Sequence, residues 1–235
     1  MENTVYLIPS LLSEDATETI PASVLDAVKN CQAFFVENER TARRFLKKLS
    51  KEISIDEYDW FTMDKHAKEA AELKESFLKK LKEGKNIGIL SEAGCPGIAD
   101  PGQELVRLAH QESARVKPLV GPSSILLALM GSGLNGQQFQ FVGYLPIDLP
   151  GRTKTLRELE AESKKKNCTQ VFIETPYRNN QLLETISKVC LPSTRLCVAV
   201  NLTAKNESIQ TKTIAEWKKK LPDLHKQPAI FCLLS

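Results

Sequence analysis

A chain of 235 residues is long enough for one large α/β domain or two small ones. Its 42% hydrophobic and 26% charged residues fit a soluble globular protein, and no apolar run approaches the length of a bilayer span. A net charge of +3 is too small to identify a nucleic-acid module by itself.

The start, Met1-Glu-Asn-Thr-Val-Tyr6, lacks the basic region and apolar core of a secretory signal. Cys31, Cys95, Cys168, Cys190, Cys197 and Cys232 form no C-x-x-C pair, and most sit in apolar runs. Reduced, mostly buried thiols in a cytoplasmic protein are expected. His66, His110 and His225 are scattered, so no metal site is expected. The basic runs Lys164 to Lys166 and Lys218 to Lys220 read as solvated helix ends.

Val5 to Ile8 reads as the first strand, ended by Pro9 and Ser10. A glycine-free polar loop follows, and then a helix starting near Pro21 with Ile20, Val24 and Val28 inward. Ala33 to Val36 is the second strand. The next helix points Ala42, Phe45, Leu46 and Leu49 inward, and Ile53 to Tyr58 is expected as a third strand. Ala67, Ala70, Leu73, Phe77 and Leu81 share one face of a long helix ended by Gly84. Asn86 to Leu90 and Arg115 to Val120 are the fourth and fifth strands. Between them, Asp100 is placed to cap a helix, with Pro101 at its first position and Gln103 closing a capping box.

Beyond the turn Gly121-Pro-Ser-Ser124, Ser123 or Ser124 caps a helix over Ile125 to Met130. Strands are expected at Phe139 to Val142, Thr169 to Ile173, Leu196 to Val200, Ser208 to Lys212 and Ala229 to Leu234. Helices are expected at Lys154 to Lys166, around Leu182, Leu183, Ile186 and Val189, and at Ile214 to Leu221. The alternation predicts two abutting α/β domains with a ligand cleft between them. They are 1–118, with a mostly parallel sheet, and 119–235, with a mixed sheet.

The motifs exclude several chemistries. Pro9-Ser-Leu-Leu-Ser-Glu14 follows the first strand in place of G-x-G-x-x-G, and no P-loop is present, which argues against a dehydrogenase or nucleotide hydrolase. Neither Ser91 nor Ser124 lies in G-x-S-x-G, so a serine triad is unsupported. The loop from Ser91 to Gly102, at the carboxyl end of a buried strand, stands where open α/β sheets bind ligands.

Four stretches occur in order: Ser91-Glu-Ala-Gly-Cys-Pro-Gly-Ile-Ala-Asp-Pro-Gly102, Pro118-Leu-Val-Gly-Pro-Ser-Ser124, Gly143-Tyr-Leu-Pro146 and Phe172-Ile-Glu-Thr-Pro-Tyr-Arg178. Together they resemble the tetrapyrrole methylase superfamily, the class III S-adenosylmethionine methyltransferases. Within it they are most similar to the bacterial small-subunit rRNA (cytidine-2′-O)-methyltransferase branch. The resemblance implies a two-domain fold, a homodimer, and S-adenosylmethionine in the interdomain cleft.

Residue by residue, it assigns cofactor contacts to Gly94, Cys95, Pro96, Ile98 and Ala99, and to Ser123 and Ser124. It adds Glu174 and Thr175, Leu202 and Thr203, and Pro228 and Ala229, many through backbone groups. The acceptor implied is a ribose 2′-hydroxyl of ribosomal RNA. Glu37, Glu39, Glu92 and Lys205 are candidates for the base such an acceptor needs. Two other readings stand beside it: a corrin or porphyrin carbon methylase with a small-molecule acceptor, and a non-catalytic protein that binds the cofactor or RNA. The departures from the branch lie at Pro9 to Asp15, where a glycine-containing loop is usual, and at Glu37-Asn-Glu-Arg40.

Overall fold

The computed structural model describes residues 3–63 and 67–235, and for residues 67–70 the helical backbone alone. His66 and the inward positions expected at Ala67 and Ala70 lie outside the described side chains. The chain forms two compact units, Met1–Ser123 and Ser124–Ser235.

In the first unit the order is β1 (Thr4–Ile8), α1 (Ser23–Lys29), β2 (Ala33–Val36), α2 (Glu39–Leu49), β3 (Asp59–Thr62), α3 (Ala67–Lys82), β4 (Ile87–Leu90), α4 (Gln103–Gln111) and β5 (Arg115–Pro118). The strands make one sheet in the order β3-β2-β4-β1-β5, and every pairing is parallel. β2 and β4 are buried along their whole length, as strands covered by helices on both faces must be. One face packs Phe34, Val36 and Ile8 under Val24, Val28, Phe45 and Leu46 of α1 and α2. The other packs Phe35, Ile87 and Ile89 with Phe77, Leu81, Leu105 and Leu108 of α3 and α4.

Gly88 lies in the centre of this sheet, opposite Tyr6 and Phe34. A Cβ there would stand 2.5 Å from two Phe34 ring carbons, so only glycine leaves the ring its place.

The third strand is not Ile53 to Tyr58. Ile55–Glu57 is a single 3₁₀ turn, and the strand begins at Asp59. Aromatic pairing sets this register: Trp60 stacks on Phe34 at 5.1 Å and Phe61 on Phe35 at 4.6 Å, each directly across the β2–β3 pair. The start of α4 also differs from expectation. Gly102, at φ +121°, occupies the N-cap position, so Asp100 and Pro101 belong to the preceding loop and the expected capping box is absent.

The second unit runs α5 (Ser124–Ser132), β6 (Phe139–Tyr144), α6 (Leu149–Lys166), β7 (Thr169–Ile173), α7 (Asn179–Val189), β8 (Arg195–Val200), β9 (Ser208–Thr213), α8 (Ile214–Trp217) and β10 (Ala229–Leu234). Its sheet order is β6-β7-β10-β8-β9, with β6–β7 parallel and the other pairs antiparallel. Phe172 and Phe231 stack at 5.8 Å in a core closed by Leu156, Leu182, Ile186 and Trp217.

Two helices differ from expectation here. α6 begins five residues before Lys154, because the Asp148 side chain accepts from Gly151 N and Pro150 fits the first turn. α8 stops at Trp217, short of Leu221, although Thr213 and Glu216 form a full capping box at its start.

Candidate functional site

In the first unit the candidate residues gather at the carboxyl ends of β1, β2 and β4. Gly94 pairs with Ser10 in a two-bond bridge, Ser10 N donating to Gly94 O (2.8 Å) and Gly94 N to Ser10 O (3.1 Å). The buried Ser10 hydroxyl donates to Ser91 O at 2.8 Å. The loop after β1 is therefore tied to the loop after β4.

Beyond Gly94 the backbone turns through positive φ at Gly94 (70°), Gly97 (80°) and Ala99 (63°). Glycine adopts this region freely, whereas an alanine held there carries strain of the kind that collects at ligand loops. Pro96 is buried, but Ile98 is 51% exposed at the tip, an apolar side chain with no core to enter. The Cys95 thiol faces Pro122 O at 3.5 Å, bringing the Gly94–Ala99 loop beside the Gly121-Pro-Ser123 turn. Cys95 is the one half-exposed cysteine of the six, and partial burial pushes its thiol up from the ordinary value.

Of the base candidates, Glu37 and Glu92 come together, with Glu92 N donating to the Glu37 carboxylate at 3.1 Å. Glu39 turns away and pairs with Arg43 at 2.6 Å. Lys205 is exposed in the second unit, in the turn after β8.

In the second unit the expected residues meet at one end of the sheet. Register places Ile173 opposite Ile230 and Val200 opposite Ala229, so Glu174, Asn201 and Pro228 leave neighbouring strand ends. Glu174 is buried. One carboxylate oxygen accepts from Thr175 N (2.7 Å) and from Arg178 (2.6 Å), while the other has no partner among the described residues. The turn after β8 passes through positive φ at Asn201 (51°) and Thr203 (69°). Thr203 N donates to Glu207, its hydroxyl has no partner among the described residues, and Leu202 is buried. Ser124 is the first residue of α5, which packs on β8, β9 and β10.

Sequence reasoning missed the side chains that hold these ends together. Asn201 N donates to Pro228 O at 3.0 Å, and the Asn201 amide donates to Gln227 Oε1 at 2.8 Å. Gln227 O accepts from the fully buried Asn179 at 2.6 Å, and the Gln227 amide donates to Asp223 O. They come from separate stretches, the start of α7, the turn after β8 and the loop before β10, and only the tertiary fold brings them together.

Among the described residues no group of three His, Cys, Asp or Glu side chains is placed to hold a metal ion, and no helix is long and apolar enough to cross a membrane.

A model of the Tetrapyrrole (Corrin/Porphyrin) Methylases matches residues 15–218. The chain is 31% identical over 212 residues to the ribosomal RNA small subunit methyltransferase I of Bacillus subtilis (strain 168), covering 90% of this chain and 68% of that protein. It is 38% identical over 149 residues to the protein of the same name from Escherichia coli O157:H7, covering 62% of this chain and 51% of that protein. The match thus spans about half of the second relative's length and about two thirds of the first's. Among solved structures, the methyltransferase CobJ superposes with a TM-score of 0.64 at 15% identity, covering 99% of this chain and 94% of that one. The uroporphyrin-III-C-methyltransferase from Thermus thermophilus gives 0.56 at 15% identity, with the same coverage of 99% and 94%. At those identities the likeness is one of fold.

Proposed function

The chain belongs to the tetrapyrrole (corrin/porphyrin) methylases, and from that premise we propose that it is an S-adenosylmethionine-dependent methyltransferase whose acceptor is a ribose 2′-hydroxyl of small-subunit ribosomal RNA. The observation that carries the reading is the 31% identity over 90% of this chain to a protein named as a small-subunit rRNA methyltransferase. It favours RNA over a corrin or porphyrin acceptor, and an enzyme over a non-catalytic binding protein.

The residues fit the cofactor. A free Glu174 carboxylate oxygen and the Thr203 hydroxyl at adjacent strand ends match the amino and hydroxyl groups of an adenosine. Gly94, Cys95, Pro96, Ile98 and Ala99 offer backbone groups and one exposed apolar side chain, and Ser123, Ser124, Thr175, Leu202, Pro228 and Ala229 complete the assignment. When bound, the cofactor supplies a methyl group on a positively charged sulfur, a leaving group that needs no acid.

What remains for the protein is positioning, and reception of one proton from the acceptor hydroxyl. Glu37 is the acid oriented for that task, since Glu92 N holds its carboxylate at the end of β2. The reading includes a cytoplasmic location, supported by six free cysteines. It also includes a homodimer, supported by the resemblance.

The test is transfer of labelled methyl from S-adenosylmethionine to small-subunit particles from cells lacking this protein. Incorporation at one ribose is expected. Absence of transfer to naked rRNA and to assembled subunits alike overturns the RNA reading.

A further inference from the structure

α2 separates apolar from basic sharply. Ala42, Phe45 and Leu46 are buried, whereas Arg40, Arg43, Arg44, Lys47 and Lys48 make five of its eleven residues basic against one acid, Glu39. At 100° per residue these five cations fall on one face. Arg43 is used in packing: it pairs with Glu39 at 2.6 Å and lies over the Trp60 ring at 5.2 Å. Arg40 makes no ion pair among the described residues.

Arg44 and Lys48, one turn apart, line a cleft of about 220 Å³ whose other walls are Leu12 and Glu14 on one side and Ser91, Glu92 and Ala93 on the other. This cleft lies within the first unit and adjoins Gly94. One anion sits across the pair: the Glu14 carboxylate is 3.6 Å from Arg44 and 3.5 Å from Lys48, and Lys48 also donates to Glu14 O at 2.9 Å. The Glu14 side chain is 75% exposed, so it leaves at little cost.

We propose that Arg44 and Lys48 form a binding site for the phosphate backbone of the acceptor RNA strand, and that Glu14 occupies it as an internal counter-ion which the RNA phosphate displaces. Arg44 and Lys48 share the one exposed Glu14 carboxylate, so its displacement leaves both cations to a phosphate, with Glu92 the remaining acid of the cleft lining. An arginine fork beside a lysine is the pairing that suits a phosphate. From Arg40 to Lys48 the face extends about 12 Å along the helix, enough for more than one phosphate of a strand. The proposal rests on the RNA-acceptor reading above.

The experiment measures binding of a fluorescently labelled single-stranded RNA oligomer of small-subunit rRNA sequence to the full chain, by anisotropy across a potassium chloride series. Calorimetry with S-adenosylmethionine is run on the same preparations. Arg44→Ala/Lys48→Ala is expected to weaken binding about tenfold at low salt and to reduce the slope of log K against log salt by about 1.4, two single-strand contacts. Glu14→Gln is expected to tighten binding about two- to fivefold, the opposite of what loss of a structural residue does. Lys154→Ala/Lys188→Ala, removing two exposed lysines of the second unit, is the charge-matched control.

The proposal is overturned if Glu14→Gln binds RNA no more tightly than the parent chain, or if the Arg44/Lys48 variant matches the control. In either case, retained S-adenosylmethionine binding leaves the methyltransferase reading standing. If the parent chain binds no S-adenosylmethionine, that reading fails, whatever the RNA series gives.

Discussion

At the scale of single residues, three side chains test the proposed site by different physics. Cys95 is partly exposed and its thiol is pushed up, so it alkylates slowly but ahead of the five buried cysteines. Saturating S-adenosylmethionine is expected to slow modification of Cys95 at least about tenfold; mass spectrometry of the Cys95 peptide at several times gives the rate. An unaltered rate removes the Gly94–Ala99 loop from the cofactor site.

Glu37 is separable from the cofactor. Glu37→Gln keeps an oxygen able to accept from Glu92 N but removes the carboxylate proposed as the base. Methyl transfer is therefore expected to fall by a factor of about 10² to 10⁴ with little change in cofactor affinity. A loss of affinity in place of rate would make Glu37 a binding residue. Ser124→Trp is expected to abolish cofactor binding while the far-ultraviolet circular dichroism spectrum is retained. Calorimetry on the folded variant decides it.

At the scale of elements, the central strand β4 sets how close the aromatic layer can come. Gly88→Ala drives a Cβ to 2.5 Å from the Phe34 ring. The ring already packs edge-to-face on Tyr58 at 4.9 Å and stacks on Trp60 at 5.1 Å, so it has little room to yield. The substitution is expected to cost about 1–3 kcal/mol, read as a lower urea midpoint with the denaturant slope unchanged. The same aromatic layer explains the displaced third strand. Ile53 to Tyr58 looks strand-like by composition, yet Asp56 and Glu57 sit in a 3₁₀ turn. Trp60 and Phe61 are the residues with partners to stack on across the sheet.

For the whole molecule, buried thiols in both units link stability to pH. Burial pushes Cys31 in the first unit and Cys190 in the second from an ordinary value of 9.0 up to about 12. Below about pH 9 both thiols are neutral, folded or unfolded, and their contribution is present in full. Between about pH 9 and about pH 12 the unfolded chain gives up these protons and the folded chain keeps them, so stability falls as pH rises. Urea midpoints measured across this window should decline, and Cys31→Ala should make the decline shallower. A slope identical in the variant would remove Cys31 from the linkage.

The sequence by itself determined the alternation of strands and helices, the inward faces of α1, α2 and α7, and the ordered motifs at Ser91 to Gly102, Ser123 and Glu174 that carry the family resemblance. These are written in short-range pattern: periodicity, strand-end glycines and prolines, and four motifs in order. Tertiary structure alone decided which residues meet across the sheet. The placing of β3 came from aromatic pairs, and the start of α4 from the positive φ of Gly102. The Asn179–Gln227–Asn201 ties and the seating of Glu14 across Arg44 and Lys48 join residues tens of positions apart. A hydrogen bond or ion pair between distant segments depends on strand register and helix docking, and these are settled by packing the core rather than by any local run of residues.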